Sequence, residues 1–485
     1  MKLDDPELFL EAAWVGGRPL TAANGATLAV RNPATGERVG QVPALAADEV
    51  EQAIAAAAAA LPEWRARTAK ERAAVLRRWS ELLLAHREDL ALLMAVEGGK
   101  PLGEARGEVA YAASFLEWFG EEAKRIYGEV IPSHRASARI VVLREPIGVA
   151  AAITPWNFPA AMIARKIAPA LAAGCTMVAK PASETPFTAL ALARLSERAG
   201  VPPGVLNVVT GKSVVIGGVL TASPTVRALS FTGSTETGRV LMAQCAGTIK
   251  RLALELGGNA PFVVFDDADV DAAVEGAITS KYRHTGQTCV CANRFLVQAG
   301  IYEAFAERLV ERVEGLVVGD PREPGVQQGP LISAAALAKV EAHVADALAH
   351  GAKVLCGGRP HARGGTFFEP TVLGEAMPVM RCAREETFGS VVPLFRFRDE
   401  AEAVRLANDT EFGLAAYLYT RDLGRAWRVA EALEAGMIGV NEGLISTEVA
   451  PFGGVKQSGL GREGSRHGIE EYVETKYVLL GLPAR

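Results

Sequence analysis

The sequence contains no run of basic residues, no long apolar segment and no closely spaced set of cysteines. Without a basic patch, and with a formal net charge of -5 over 485 residues, it lacks an electrostatic footprint for nucleic acid. No stretch is long and apolar enough for a membrane-spanning helix. The first residues, MKLDDPELFLEAAW, are acidic and lack the apolar core of a secretory signal. We therefore expect a cytoplasmic protein that binds neither nucleic acid nor membrane.

The six cysteines are too few and too scattered for a disulfide framework. Four of them, each isolated in the sequence, are expected to be small buried hydrophobes: Cys175, Cys245, Cys356 and Cys382. Cys289 and Cys291 share the segment HTGQTCVCAN, but a C-x-C pair without a further Cys or His cluster is a poor zinc site. The seven histidines form no HExxH pattern, so we expect no metal centre.

The first hundred residues are predicted to be mostly helical. Asp48 and Glu51 have the spacing of an N-cap and capping box before an Ala-rich run. An amphipathic segment from Thr68 to Val96 ends at two glycines. We expect these elements to pack the core and to carry no chemistry.

From about Val149 short apolar strands alternate with amphipathic helices, which predicts a parallel sheet with helices on both faces. A second α/β region begins near Pro261. Ligands bind at the carboxyl ends of such strands, where TPWNFP, KPAS and FTGS are expected to meet. The segments Arg139–Glu145 and Glu471–Leu480 look like strands outside both regions that pair with each other or with another subunit.

Three isolated residues are candidates for chemistry, each with a simpler alternative. Cys289 is either an ordinary buried thiol or a nucleophile, and His284 nearby is only a weak sign of a Cys–His dyad. Glu255, at the end of an apolar strand, is either a solvated terminus or a base whose pKa is raised by burial. Asn157, between two prolines, either makes a local turn hydrogen bond or donates to an oxyanion.

The segment FTGSTETG follows a strand and begins a helix. Its Gly233 and Gly238 fit neither the G-x-G-x-x-G fingerprint nor a P-loop. A phosphate can still bind at this helix N-terminus, where backbone N–H groups lack partners. Lys180, directly after a strand, is a candidate contact for a ribose or phosphate.

Taken together, these segments resemble the aldehyde dehydrogenase superfamily, in order and over nearly the whole chain. The matching stretches are TPWNFP, KPASETP, FTGSTETG, LELGGNAP, GQTCVCANR, EETFG and PFGGVKQSGLGREG. Within the superfamily the chain is most similar to succinate-semialdehyde dehydrogenases, through GQTCVCANR, NEGLIS and KQSGLGREGS. The resemblance implies an α/β fold with a Rossmann-type cofactor domain at residues 1–121 and 143–256 and a catalytic domain at 257–440. It also implies a small β oligomerisation arm at 122–142 and 465–485, in a homodimer or homotetramer.

The resemblance also implies roles for these residues. Cys289 would attack the aldehyde, Asn157 would hold the oxyanion, and Glu255 would activate water to release the acid. Contacts to the cofactor, NADP or NAD, would come from Glu386 at the nicotinamide ribose and from the phosphate-contacting and pocket-wall residues Gly233, Ser234, Trp156, Leu256 and Phe388. Lys166 and Glu463 match positions that some relatives use as a proton relay.

One departure from the family pattern bears on the cofactor. Many NAD-preferring relatives carry Glu three residues after the lysine, whereas Ser183 stands at that distance from Lys180. Loss of this carboxylate removes its repulsion of a 2′-phosphate, so we expect NADP to be used well and favoured. Glu184, next in the chain, is a possible substitute.

The expected substrate is succinate semialdehyde. Arg165, Arg283 and Ser446 match the family's residues that bind the distal carboxylate, and arginine suits a bidentate contact. Glutarate semialdehyde or a broader range of aldehydes is the alternative, because a pocket discriminates one methylene poorly.

Rival classes are a cofactor-free cysteine hydrolase built on Cys289 and His284 and a non-catalytic protein of the same fold. In some semialdehyde dehydrogenases a second cysteine forms a disulfide with the nucleophile, and Cys291 has the spacing for that redox switch.

Overall fold

The computed structural model describes residues 1–482, in which strands form two large sheets and two small ones. The first eleven strands are β1 (Ala13–Val15), β2 (Arg18–Leu20), β3 (Thr27–Arg31), β4 (Arg38–Pro43), β5 (Glu129–Ile131), β6 (Ala138–Pro146), β7 (Val149–Ile153), β8 (Thr176–Lys180), β9 (Leu206–Val208), β10 (Val226–Thr232) and β11 (Arg251–Glu255). The remaining strands are β12 (Ala260–Val264), β13 (Ala292–Gln298), β14 (Lys353–Cys356), β15 (Thr371–Gly374), β16 (Val391–Phe397), β17 (Ala415–Tyr419), β18 (Met437–Val440), β19 (Gly459–Leu460) and β20 (Val473–Gly481).

Fourteen α-helices occur in the described residues. Those before the second large sheet are α1 (Ala47–Ala66), α2 (Ala69–Ala85), α3 (Arg87–Gly98), α4 (Leu102–Glu122), α5 (Ala161–Ala173), α6 (Pro186–Ala199), α7 (Ser213–Ala222) and α8 (Thr235–Cys245). The others are α9 (Val270–Lys281), α10 (Tyr302–Glu314), α11 (Ala334–Ala349), α12 (Arg381–Arg384), α13 (Glu400–Asn408) and α14 (Leu423–Ala432).

The larger sheet has the strand order β19-β11-β10-β7-β8-β9-β1-β2. Its five central strands, β11 to β9 in that order, are parallel, and both faces of β7 and β8 are buried. Their continuous apolar sequences VAAAI and TMVAK are typical of strands covered by helices on both sides. The alternation predicted from Val149 onward is therefore present.

The second sheet has the order β14-β15-β16-β13-β12-β17-β18 and is parallel except for β14. Strands β6 and β20 form antiparallel pairs along nine residues each, with β5 on the other side of β6. The sequence left open whether these two strands pair with each other or with another subunit. In the single chain they pair with each other. Residues 483–485, at the end of the predicted arm, lie outside the described residues.

The prediction of a mostly helical start was wrong for residues 13–43, which form β1 to β4. These strands are three to six residues long and partly exposed, so they leave little periodicity in the sequence. The predicted cap at Asp48 was also wrong, because α1 begins at Ala47 and Glu49 accepts a 2.6 Å hydrogen bond from the Ala46 N–H. The segment from 68 to 96 is two helices that meet at His86.

Helix α5 has an unusual position, since every one of its residues is buried. It follows the loop after β7 and places two adjacent cations, Arg165 and Lys166, inside the protein. Buried cations require paired anions, so this helix identifies a polar centre in the fold. No helix within residues 1–482 has the length and apolar character needed to cross a membrane. The same residues bring together no group of three side chains suited to a metal ion.

Candidate active site

A left-handed turn precedes Cys289. His284 and Thr285 have φ angles of 49° and 56°, and Gly286 follows at 75°. Each non-glycine residue in this region costs about 1–3 kcal/mol, so neighbouring groups must hold the turn. A Cβ on Gly286 would lie only 2.3 Å from the carbonyl oxygen of Gly389. The backbone of the loop at 389 therefore packs directly against the turn.

Side-chain hydrogen bonds hold the turn from the opposite side. The His284 N–H donates to the Glu104 carboxylate over 2.7 Å. The Thr285 hydroxyl donates to the carbonyl oxygen of Gly329 and accepts from the N–H of the same glycine, over 3.2 and 3.0 Å. These contacts fix the path of the chain that leads to Cys289.

A cavity of about 280 Å³ is lined by two of the three segments that the sequence predicted would meet, TPWNFP and FTGS, but not by KPAS. It lies at the carboxyl ends of the neighbouring parallel strands β7, β10 and β11, where ligands bind in sheets of this type. Eight of the predicted residues line it: Trp156, Asn157, Gly233, Ser234, Leu256, Cys289, Glu386 and Phe388. The Trp156 and Phe388 rings meet edge to face with centroids 5.6 Å apart, and form one corner of the cavity.

Cys289 is partly exposed in this cavity, yet its surroundings disfavour ionisation of the thiol. Burial, together with the nearby Glu386 and Glu255 carboxylates, raises the pKa of Cys289 to about 12, against the opposing effect of Arg165 and Arg283. A thiol with this pKa is protonated at neutral pH. In the cofactor-free protein Cys289 is therefore a neutral thiol.

The Asn157 side chain is fixed to the loop that carries Cys289. Its Nδ2 donates to the Gln287 carbonyl oxygen over 3.0 Å, while its Oδ1 has no partner among the described residues. An amide nitrogen has two hydrogens, so one N–H stays available to a ligand. The prolines on either side, Pro155 and Pro159, restrict the backbone that presents it.

Glu255 ends β11 and is almost fully buried, with neither carboxylate oxygen hydrogen-bonded within residues 1–482. Burial and the neighbouring Glu463 carboxylate raise its pKa well above the usual range, although Arg165, Lys166 and Arg462 lower it. A carboxyl group with a raised pKa and free oxygens suits proton transfer near neutral pH.

A buried ionic cluster lies behind Glu255. Lys166 contacts Glu463 and donates to the Thr232 hydroxyl over 2.7 Å. Arg165 contacts the same Glu463 with a nitrogen to oxygen distance of 2.7 Å, and its guanidinium stacks 3.8 Å above the Phe452 ring. Although burial opposes it, these two cations lower the pKa of Glu463. Glu463 is thus the shared anionic partner of both cations that α5 carries into the core.

A second cavity, of about 580 Å³, is lined by Arg283 and Ser446. Arg283 precedes the left-handed turn, and its guanidinium lies 5.2 Å from the centre of the Phe158 ring. Arg165 is not among the lining residues: only 1% of it is exposed. The structure therefore brings together two of the three predicted carboxylate ligands.

Helix α4 supplies one wall of the 580 Å³ cavity, which the sequence did not predict. The wall includes Glu104, Tyr111 and the two glycines Gly103 and Gly107. Burial raises the pKa of Glu104 to about 7, against the effect of Lys100 and other neighbours. No recognisable motif marks this helix, and the signal in the sequence is a set of charged residues on a largely apolar helix. Lys339 of α11 lines the 280 Å³ cavity, and the sequence did not predict it because no motif marks that helix either.

The far end of the 280 Å³ cavity suits a dinucleotide. Ser234 caps α8 by accepting a 3.3 Å hydrogen bond from the Thr237 N–H, which leaves other N–H groups of this helix terminus for a phosphate. A Cβ on Gly238 would lie 2.5 Å from the Leu256 side chain, so a larger residue there would displace Leu256 in the cavity wall. An unpartnered amide oxygen on Asn157 at the other end adds a polar group for a ligand. The residues present therefore fit a nicotinamide cofactor.

Lys180 is the last residue of β8 and Ser183 lies on the loop after it, and neither lines the cavity. Lys180 is 2% exposed and donates to the Pro181 carbonyl oxygen over 3.0 Å. Burial lowers the pKa of Lys180 to about 8, while Glu184 raises it. Ser183 is half-buried and Glu184 is exposed.

The structure gives no support to a Cys–His dyad. Neither ring nitrogen of His284 is hydrogen-bonded within residues 1–482, and the ring packs against Trp156 and Phe158 at 6.0 Å. Burial lowers the pKa of His284 well below its usual value, assisted by Lys100 and Arg283. Cys291 is also buried, and its Sγ lies 3.3 Å from the Lys281 carbonyl oxygen.

Comparison with known proteins gives a consistent result over the whole chain. The model of the aldehyde dehydrogenase family matches residues 20–478. The chain is 63% identical to a glutarate-semialdehyde dehydrogenase of Pseudomonas aeruginosa and 62% identical to the NADP(+) succinate-semialdehyde dehydrogenase of Escherichia coli, with 99% of this chain and 100% of each relative covered. A crystal structure of succinate-semialdehyde dehydrogenase from Burkholderia pseudomallei superposes with a TM-score of 0.99 at 62% identity, covering 99% of this chain and 100% of that one.

The raised pKa of Cys289 predicts how fast the cofactor-free protein reacts with iodoacetamide. Below the pKa the thiolate fraction grows with pH, so alkylation of Cys289 should accelerate about tenfold per pH unit between roughly pH 7 and pH 9. Mass spectrometry of the Cys289 peptide measures the rate, and Cys289→Ser supplies the blank. Glu386→Gln, which removes a carboxylate that raises this pKa, should shift the profile to lower pH. A plateau below pH 8 in the unaltered protein would contradict the assignment.

Proposed function

The chain belongs to the aldehyde dehydrogenase family, and we propose that it oxidises succinate semialdehyde, or a closely similar carboxylated aldehyde, with NADP or NAD as hydride acceptor. One observation carries the proposal. A single short segment supplies Arg283 to the 580 Å³ cavity and Cys289 to the 280 Å³ cavity. A substrate held by its carboxylate at Arg283 therefore presents its aldehyde toward the thiol.

In the first half of the reaction, Glu255 takes the proton of the Cys289 thiol and passes it toward Lys166 and Glu463. The Cys289 thiolate then attacks the carbonyl carbon, and the carbonyl oxygen becomes an oxyanion. The free N–H of the Asn157 amide and the Cys289 backbone N–H donate to this oxyanion. When bound, the oxidised nicotinamide accepts the hydride that leaves the substrate carbon. The acyl group then remains on Cys289 as a thioester.

In the second half, Glu255 removes a proton from the water that attacks the thioester. The carbon–sulfur bond breaks, the acid leaves, and Cys289 regains its thiolate. The proton on Glu255 passes toward Lys166 and Glu463, which we assign as the relay because they share a buried cluster whose charges already influence the Glu255 pKa.

The remaining cofactor contacts follow the same assignment. Glu386 would hold the nicotinamide ribose, and its carboxylate is oriented by a 3.2 Å hydrogen bond from the Gly258 N–H. Gly233 and Ser234 at the start of α8 would bind the phosphates, and the cavity residues Trp156, Leu256 and Phe388 would enclose the nicotinamide. Lys180 and Ser183 lie toward the adenosine end.

The substrate carboxylate is assigned to Arg283 and Ser446. Arg165 is paired with Glu463 and could bind the substrate carboxylate only if it left that partner. The assignment of a carboxylate site therefore rests on Arg283. Glutarate semialdehyde is the second candidate, because the 580 Å³ cavity has room for one more methylene and a relative of 63% identity carries that name. A hydrolase built on Cys289 and His284 is disfavoured, since His284 makes no side-chain hydrogen bond to the thiol.

We further propose the domain assignment of residues 1–121 and 143–256 to the cofactor, 257–440 to catalysis, and 122–142 with 465–485 to oligomerisation as a homodimer or homotetramer. The arm exposes Val130, Tyr477 and Leu480, and β18 and β20 are outermost in their sheets. Exposed apolar edge strands pair readily with another chain. Light scattering in solution should give a mass of at least twice 51.2 kDa, and a monomer would contradict the oligomer.

A cytoplasmic location is proposed from the cysteine chemistry. All six cysteines are free, as in proteins of reducing compartments. Recovery of the native protein in a membrane or secreted fraction after cell lysis would contradict it.

The central test is an absorbance assay at the reduced-nicotinamide band with a panel of semialdehydes and both cofactors. We expect succinate semialdehyde to give the largest kcat/KM and NADP to be used at least as well as NAD. Ser183→Glu should lower kcat/KM for NADP at least tenfold, because the new carboxylate repels the 2′-phosphate. Ser183→Gln, of similar size without charge, is the matched control, and an equal loss in both variants would refute the electrostatic explanation.

Arg283→Met keeps most of the side-chain volume and removes the charge. Charged hydrogen bonds contribute about 1.5–3 kcal/mol, so KM for succinate semialdehyde should rise about 10- to 150-fold. Butanal, which has no carboxylate, should show an unchanged KM. Arg308→Met, an exposed arginine on α10 paired with Asp271, controls for the loss of charge alone. Similar KM changes for both aldehydes would contradict a carboxylate site at Arg283.

We propose that Cys289 and Cys291 form a reversible disulfide, with peroxide taking up the two electrons that the thiols lose. Cys291 must first leave the Lys281 carbonyl, and the close spacing strains the bond, so it should be reduced easily. Mild peroxide should inactivate the enzyme, and dithiothreitol should restore it. Cys291→Ser should lose this recovery, because the Cys289 sulfenic acid then has no neighbouring thiol to form the disulfide and is oxidised further to the sulfinic acid. Failure of dithiothreitol to restore the unaltered enzyme would refute the switch.

A further inference from the structure

His343 of α11 is fully buried and contacts the loop that follows α12 on both sides of Glu386. Its Nδ1 lies 3.1 Å from the Thr387 hydroxyl, and its Nε2 lies 3.2 Å from the Glu385 carboxylate. Neither cavity of the candidate site includes His343 in its wall. The side-chain hydrogen bonds of His343 therefore reach the site through this loop.

The partners define the protonation of the ring. A carboxylate can only accept, so the Glu385 contact places the hydrogen on Nε2. The bare Nδ1 then accepts from the Thr387 hydroxyl. Burial lowers the pKa of His343, with Lys339 and Arg381 acting in the same direction and Glu385 opposing them. The ring is accordingly neutral, and in this state Nε2 donates to the Glu385 carboxylate while Nδ1 accepts from the Thr387 hydroxyl.

The loop needs such support because it is strained. Phe388, next to Thr387, has a φ of 57°, a conformation that costs a bulky residue about 1–3 kcal/mol. The Phe388 ring contacts Trp156, and Glu386 is held from its far side by the Gly258 N–H. Glu385 is fixed additionally by two 3.0 Å contacts from Arg381. Of these contacts, only those of His343 connect the loop directly to the helix that also carries Ala336 and Lys339 into the cavity.

We infer that His343 is a positioning residue for the oxidation: by binding Glu385 and Thr387 it fixes the Glu386 carboxylate and the Phe388 ring where the nicotinamide half of the cofactor binds. The inference rests on the proposed function. Errors of about 1 Å in a positioned group cost up to about 100-fold in rate, so loss of the contact acts on cofactor binding and hydride transfer. Capture of the aldehyde by Cys289 and hydrolysis of the thioester do not depend on it.

Three variants test the contact. His343→Phe keeps a ring and loses both hydrogen bonds, Thr387→Val loses only the hydroxyl, and the double variant combines them. Each single variant should raise KM for NADP about tenfold or more and reveal an isotope effect on kcat with aldehyde deuterated at the carbonyl carbon. The double variant should be no worse than His343→Phe, because both changes remove one shared contact. His350→Gln, at the exposed end of the same helix, should match the unaltered enzyme.

Hydrolysis of p-nitrophenyl acetate separates positioning from general damage, because acyl transfer through Cys289 and Glu255 uses no nicotinamide. We expect this activity and the melting temperature of His343→Phe to stay near those of the unaltered enzyme. An equal loss of ester hydrolysis and dehydrogenation, or additive effects in the double variant, would overturn the inference. Unchanged KM for NADP and unchanged isotope effect would also overturn it.

A fluorescence titration with NADPH keeps the two proposals distinguishable. If the unaltered protein binds NADPH but oxidises no semialdehyde, the proposed function fails. In that case a weaker NADPH affinity of His343→Phe still supports the positioning role, and an equal affinity refutes it.

Discussion

The close packing of Gly286 against Gly389 is the constraint on which the candidate site depends. At this point the left-handed turn before Cys289 touches the backbone of the loop that carries Glu386 and Phe388, with no room for a Cβ. The distance between Cys289 and the cavity wall formed by Glu386 and Phe388 is therefore set by backbone contact. Strain on both sides, in the turn and at Phe388, is stored where the two segments meet. Side-chain hydrogen bonds from Glu104 and His343 support this junction from two different helices.

Burial of charge is the second organising feature. Removing a lysine, an arginine and a glutamate from water costs several kcal/mol for each ion, and mutual pairing repays this only with good geometry. Arg165 and Lys166 both pair with Glu463, and Glu255 beside them has neither oxygen hydrogen-bonded within residues 1–482. Burial, with the Glu463 charge, keeps the pKa of Glu255 high, although the two cations oppose the shift. The same cluster explains why Arg165 is unavailable at the surface of either cavity.

The sequence predicted the parts of the fold that carry a local signal. Continuous apolar runs such as VAAAI identified the buried parallel strands. Motif residues at the carboxyl ends of β7, β10 and β11 line the 280 Å³ cavity as expected, whereas the KPAS residues at the end of β8 do not. The short strands before α1 were missed, because pairs of three to six residues have little periodicity. The partners of α5 were also beyond local reasoning, since Glu463 is 297 positions from Lys166. Contacts of this kind depend on tertiary structure, and so does the role of α4 and His343.

The wall that α4 gives to the 580 Å³ cavity has a consequence for divergence among related enzymes. Gly103 and Gly107 have open space where a Cβ would lie, and this helix supplies none of the residues that react with the aldehyde. A single replacement at either glycine can shorten the cavity while the turn, the thiol and the ionic cluster stay as they are. Under the proposed assignment of this cavity to the substrate, preference for aldehyde length is separable from reactivity, so a duplicated gene could change its substrate through one helix face and stay active throughout.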